Sequence, residues 1–346
     1  MNDIYPWQQA IGQKLLQSRS LWGHAVLLKG KKGTGKYDFA RLLAQSLLCT
    51  APATNRQACG QCVSCGWFEQ NGHPNFHAVL PEALTVAAEG SAAKTEGDDV
   101  STDKAAKKSA SQQIGIEQIR KLNDFVYLTG HQSGYKIILI YPAEAMNTAA
   151  ANALLKKLEE PPPDVLFLLV THQAQHLLPT IRSRCQQLTM PAPDITASLT
   201  WLRQQGINDA EQYLAAAGYS PLLALQLAQG DDAQSFEQFI RQVADPKRLD
   251  PLLLAEALQQ NSLPVVVTWL QKWCYDLVSY RATGKARYFL KQLPAIQALS
   301  SQLDPLACGA FFRELNHKQK LAHHPLNPRL FLEDLFIAYA ALAQPR

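Results

Sequence analysis

Residues 25–39 read AVLLKGKKGTGKYDF. The apolar run Ala25–Leu28 predicts a buried strand, and Gly30-Lys31-Lys32-Gly33-Thr34-Gly35-Lys36 follows it without a break. A helical pattern starts at Lys36. This is the spacing of a phosphate-binding loop, in which glycines let backbone N–H groups close round phosphate oxygens at a helix N-terminus. Gly30, Gly33, Thr34, Gly35 and Lys36 are its candidate binding set. The next residue of such a loop is Ser or Thr, whose hydroxyl holds Mg²⁺. Here it is Tyr37. A phenol is too long and rigid to put its oxygen where that hydroxyl sits. The cradle is kept and the metal's first protein ligand is missing.

A second stretch fails in the same chemical sense. Lys136–Ile140 reads KIILI, a continuous apolar run typical of a strand covered on both faces. In a nucleoside triphosphatase this strand ends in an Asp that holds Mg²⁺, often followed by a Glu that activates water. Here it ends in Tyr141-Pro142, with Glu144 beyond the strand end. Helix Thr148–Glu159 follows, in NTAAANALLKKLEEPPPD, and three prolines stop it. Its lysines 156 and 157 read as a solvated face. Another buried strand, Val165–Val170, ends in Thr171-His172, and a last short strand runs through Met190. Strand, helix and strand after a phosphate loop imply an α/β fold with a parallel, doubly wound sheet.

Between these stretches lies CTAPATNRQACGQCVSCGW, residues 49–67. Cys49, Cys59, Cys62 and Cys65 follow the spacing C-x9-C-x2-C-x2-C. Four thiolates so placed suit a closed, structural Zn²⁺ site. No catalytic base is nearby, and His73 reads as a turn residue rather than a ligand. Tyr5 and Trp7 read as core residues ahead of an amphipathic helix bearing Ile11, Leu15 and Leu16. Residues 82–113 are rich in Ala, Ser, Gly, Asp, Glu and Lys and have no aromatic, so they predict a mobile surface loop. The cluster Lys104–Lys108 within it reads as solvated.

Size and composition set outer bounds. A chain of 346 residues predicts two or three domains. Its 47% apolar and 18% charged residues are those of an ordinary globular protein, and a net charge of +4 does not announce a nucleic-acid binder. No apolar run of membrane-spanning length exists, and MNDIYPWQQAIG has no signal-peptide pattern. A cytoplasmic location, with no membrane partner, is expected. After Pro191-Ala192-Pro193 no further strand is predicted. Short helices run to about Gly230, and longer ones from about Asp231 carry Trp269, Trp273, Tyr280, Phe289, Phe311 and Phe312 at bundle-like spacing. These aromatics, with Cys274 and Cys308, read as core.

The phosphate loop, the four-cysteine insertion, NALLKKLEEPP at 152–162 and Ser183-Arg184-Cys185 come in an order that resembles the bacterial DNA polymerase III clamp-loader subunits, a family of the AAA+ class. The resemblance is dense from residue 5 to about 192. It is weaker beyond, where AGYSPLLALQLA (217–228) and NPRLFLEDL (327–335) still match. It implies an AAA+ domain over 1–192, with a zinc module at 49–65 and the loop at 82–113. A helical lid at 193–235 and a helical collar at 236–346 complete the implied layout. It implies a ring of five, with motor (gamma or tau) and delta subunits as partners, and through the ring a sliding clamp and primed DNA. The family's SRC arginine, here Arg184 beside Ser183, reaches in trans to ATP held by a neighbour. A guanidinium aimed at the γ-phosphate stabilises charge that develops in the transition state. The lid arginine that the resemblance leads one to expect falls at Leu222.

With both metal ligands replaced, ATP or ADP is expected either not to bind or not to be hydrolysed. The chain then completes a neighbour's site and is inert alone. Two other readings use fewer of the signals. A divergent ATPase suits Lys36 and the glycines. A zinc-dependent DNA-binding module suits the cysteines and leaves the phosphate loop and SRC unexplained. Arg120 and Lys121 are candidate phosphate contacts.

Overall fold

The computed structural model describes residues 4–17, 23–85, 110–127 and 135–343. The chain divides into two compact units, Met1–Ala192 and Pro193–Arg346.

The first unit is built on a parallel five-stranded sheet: β1 (Ala25–Lys29), β2 (Phe76–Val79), β3 (Lys136–Ile140), β4 (Val165–Thr171) and β5 (Gln186–Thr189). Their order is β2-β3-β4-β1-β5. The continuous apolar runs of β1, β3 and β4 are covered on both faces because successive side chains point to opposite sides. Ala25, Leu27, Ile138, Ile140, Phe167 and Leu169 pack with Ile119, Leu154, Leu158 and Ile181. Their neighbours Val26, Leu28, Ile137, Leu139, Leu168 and Val170 pack with Leu15, Phe39 and Leu43 on the other side. The three central strands end together: Lys29 is opposite Thr171, and Ile140 is opposite Leu169. The residues that follow them, Gly30, Tyr141 and His172, therefore share the C-terminal edge, where open α/β sheets place their ligand sites.

The second unit is helical among its described residues. Helices Ile195–Gln204, Ala210–Ala216 and Pro221–Gln229 enclose a small core of Leu202, Ile207, Leu214 and Ala224. A larger core gathers Phe236, Phe239, Trp269, Trp273, Phe289, Phe311 and Tyr339 from helices between Ala233 and Ala343. Trp273 donates its indole N–H to the Tyr339 hydroxyl at 2.8 Å, and that hydroxyl donates to the Val243 carbonyl at 2.7 Å. Cys274 and Cys308 are buried there. Not all of the stretch 286–303 is helical. Asp276, fully buried, accepts the backbone N–H groups of Arg287, Tyr288 and Phe289, each at 2.8 Å. Those N–H groups are taken up by the carboxylate in a bend, a 3-10 turn follows at Leu290–Gln292, and the regular helix runs over Leu293–Gln302.

Of the predicted loop 82–113, residues 86–109 with Lys104–Lys108 lie outside the described residues. Its two ends are drawn together, with Ala83 N–H donating to the Ser111 carbonyl at 3.1 Å. Among the described residues, no helix is long and apolar enough to cross a membrane.

Candidate functional site

Helix Lys36–Leu48 starts directly from the phosphate loop, with Gly35 at its N-cap. Gly33 and Gly35 have φ of 76° and 80°, the left-handed region that other residues enter only with strain. The loop is closed on itself. Thr34, 3% exposed, gives its hydroxyl hydrogen to the Lys31 carbonyl at 3.0 Å. The Thr34 carbonyl accepts from the Trp7 indole at 3.0 Å and from the Gln8 amide at 2.7 Å. Tyr5 stacks on Trp7 and donates its hydroxyl to Asp38 at 3.0 Å. Its ring lies so near Gly35 that a Cβ there would sit 2.3 Å from a ring carbon. Trp7 is buried as expected, Tyr5 is half-buried, and both also form part of the wall of the loop.

Lys36 is 2% exposed and points inward. Its ammonium donates to the Lys31 carbonyl and to Nδ1 of His172 at 2.9 Å. Burial pulls the Lys36 pKa down to about 8, and the Glu144 carboxylate pulls the other way. Burial, then the Lys36 charge, pushes His172 down to about 4. With Nδ1 accepting, the ring proton sits on Nε2 and faces the Tyr141 hydroxyl at 3.3 Å. Glu144 accepts the His172 backbone N–H at 2.9 Å on one oxygen, and the other is buried without a partner. His172 was missed by sequence reasoning. It follows a strand, but only the strand order shows that this strand lies beside β1.

The two residues at the metal-ligand positions meet. Tyr37 and Tyr141 pack with centroids 4.6 Å apart, and burial first, then the nearby carboxylates, raises the Tyr141 hydroxyl to about 12. Phenols at the places of a hydroxyl and a carboxylate leave Mg²⁺ without the carboxylate oxygen that a strand-end Asp supplies.

Arg184 ends helix Pro179–Arg184. Its guanidinium donates to the Thr180 carbonyl at 3.1 Å and pairs with Glu159 at 2.7 Å. Ser183 turns its hydroxyl back to the same carbonyl at 3.0 Å. Neither contacts the phosphate loop through these bonds. Leu222 is half-buried in helix Pro221–Gln229. Arg120 pairs with Glu117 at 2.7 Å, and Lys121 is exposed. Lys156 is exposed as expected, but Lys157 is half-buried and bonds to Asn123.

The sulfurs of Cys49, Cys59, Cys62 and Cys65 all lie within 4.8 Å of one another. Cys49 Sγ is 3.6 Å from Cys59 Sγ and 3.8 Å from Cys62 Sγ. Four sulfurs placed tetrahedrally round Zn²⁺ at the usual Zn–S length would be about 3.8 Å apart. Backbone N–H groups of Cys59, Gln61 and Cys62 donate to sulfur, at 3.3, 3.5 and 3.3 Å. Such bonds favour thiolates. His73 stays outside the cluster. Its Nδ1 accepts the Asn75 N–H at 3.0 Å, and Nε2 donates to the Ser64 hydroxyl at 2.9 Å. Ser64 in turn donates to the Leu48 carbonyl at 2.7 Å. This buried relay braces the residues just before Cys49 and Cys65.

A parallel sheet with a phosphate loop at its C-terminal edge, an inserted four-cysteine cluster and a helical second unit define a phosphate-loop α/β protein. Residues 9–194 match the family model described as "DNA polymerase III, delta subunit", and residues 231–339 match "DNA polymerase III, delta subunit, C terminal". The DNA polymerase III subunit delta' of Pseudomonas aeruginosa is 35% identical over 100% of this chain and 100% of its own length. That of Escherichia coli is 27% identical over 99% of this chain and 96% of its own length. A solved Thermotoga maritima protein, titled DNA polymerase III gamma subunit-related, covers 97% of this chain at 17% identity with a TM-score of 0.49. The chain belongs to the DNA polymerase III delta' family.

Proposed function

We propose that this chain is the non-hydrolysing stator of the DNA polymerase III clamp loader. It supplies Arg184 in trans to ATP on a neighbouring motor subunit while the sliding clamp is set on primed DNA. One observation carries the inert half of this reading: Lys36, the residue that would meet the β- and γ-phosphates, is bound inward to Lys31 and His172. The Tyr37–Tyr141 contact supports it, because Mg²⁺ is what neutralises a transferring phosphoryl group. Residues 193–235 serve as the lid and 236–346 as the collar that joins motor and delta subunits in a ring of five. Cys49, Cys59, Cys62 and Cys65 hold a structural Zn²⁺, which ties the insertion together and takes no part in chemistry. Ser183 orients the turn that presents Arg184.

A trans arginine of this kind is worth roughly 10³ to 10⁵ in rate. Arg184→Ala is expected to abolish DNA-stimulated ATP turnover in the assembled complex and to leave assembly intact by gel filtration. An unchanged rate removes the finger. Mg²⁺-dependent phosphate release by the isolated chain would favour the divergent ATPase instead.

A further inference from the structure

The two stretches that carry the family resemblance most specifically meet at one ion pair. Glu159 ends helix Thr148–Glu159, in the LEEPP stretch, and Arg184 ends helix Pro179–Arg184. Arg184 Nη2 lies 2.7 Å from Glu159 Oε1, and Nη1 donates to Thr180 four residues back in its own helix. The guanidinium is therefore folded back along the surface of its own subunit. Both side chains remain open to solvent, 35% for Arg184 and 48% for Glu159. Glu159 lies outside both cores of its unit.

We propose that Glu159 is a positioning residue that parks Arg184 until a neighbour's triphosphate takes the carboxylate's place. This rests on the trans-arginine reading above. Arg184 gives Glu159 one N–H group, and a guanidinium donates to a phosphate oxygen as readily as to a carboxylate oxygen, so one anion is exchanged for another and no covalent bond changes. A pair this exposed biases the arginine's position by at most about fivefold, or about 1 kcal/mol. A γ-phosphate in a closing, water-poor interface exceeds that easily. Until the interface closes, the Glu159 charge also repels an approaching triphosphate. The pair thus lowers turnover when the ring is open and yields when it closes.

The test uses the assembled complex carrying Glu159→Gln, Arg184→Ala or both. Glu159→Gln is expected to raise ATP turnover without DNA about two- to fivefold. In the Arg184→Ala background it is expected to change nothing. Glu159→Ala should repeat the rise, which separates lost charge from a misfit of the amide. A rate at or below that of the wild type overturns parking, and if Arg184→Ala still abolishes turnover the finger stands. If Arg184→Ala leaves turnover unchanged, both ideas fall. A second measurement needs no ATPase. The Arg184 Nη–H resonances of the full chain, identified by their loss in Arg184→Ala, should shift in Glu159→Gln, where the bond to the Thr180 carbonyl remains. Unmoved resonances overturn the proposal.

Discussion

The Lys36 ammonium, on the first residue of the helix that follows β1 and the phosphate loop, lies 2.9 Å from Nδ1 of His172, which follows the adjacent strand β4. Two groups that can each be a cation share one buried edge. At neutral pH only the lysine carries charge, and the imidazole must be neutral to accept its hydrogen bond. The lysine of a phosphate loop has thereby found a partner within its own chain.

This pairing predicts an acid limb of stability. His172 titrates near 4 in the folded chain and near 6.5 when unfolded. Between those values the unfolded chain binds the proton and the folded chain does not. Stability therefore rises with pH across that window and is lost as pH falls through it. His172→Gln keeps an acceptor for Lys36 and cannot be protonated. Its Tm is expected to fall less than that of the wild type between pH 6.5 and 4. Parallel Tm curves would show that His172 is not the group responsible.

Gly35 predicts a second effect. At φ 80° any side chain is strained, and a Cβ would lie 2.3 and 2.4 Å from two carbons of Tyr5. The left-handed backbone costs about 1–2 kcal/mol, and overpacking costs about 1–3 kcal/mol. Gly35→Ala is therefore expected to destabilise the chain by about 2–5 kcal/mol in urea unfolding. Introduced into Tyr5→Ala, the same change should cost only the backbone part. Equal losses in the two backgrounds would mean that Tyr5 does not wall the loop.

Much of the first unit is legible in the sequence because its signals are local. Glycines at 30, 33 and 35, the apolar runs of β1, β3 and β4, and the cysteine spacing each announce one element. The phenols at 37 and 141 are legible too, as departures from what a metal requires. What the sequence hides is pairing over distance. His172 reaches Lys36, and Glu159 reaches Arg184, through sheet order and helix packing that no local pattern encodes. Asp276 is a similar case. It sits within an apolar helix pattern, and its role in holding residues 287–289 depends on a chain reversal at Gly284, where φ is 70°. Trp7 is buried as the sequence suggests, and what composition does not tell is that Tyr5 and Trp7 also bond to and pack on the phosphate loop.

The cysteine cluster predicts a metal dependence that separates ligands from braces. Structural Zn²⁺ sites of this kind contribute on the order of 10 kcal/mol to local folding. Purified chain is expected to carry one Zn²⁺ by plasma mass spectrometry, and Cys59→Ser or Cys62→Ser to lose it. Chelation should lower Tm. His73 makes the sharper test, since it lies 9 residues from Ser64 and outside the cluster. His73→Ala leaves the Asn75 N–H without its acceptor and the Ser64 hydroxyl without its donor, a loss of about 1–3 kcal/mol. It should keep one Zn²⁺ per chain and the thiolate–cobalt absorption of a Co²⁺-loaded sample, while melting lower. If His73→Ala loses the metal and Cys59→Ser keeps it, His73 belongs to the ligand set. If the wild type is free of metal and melts unchanged in chelator, the four sulfurs are not a metal site at all.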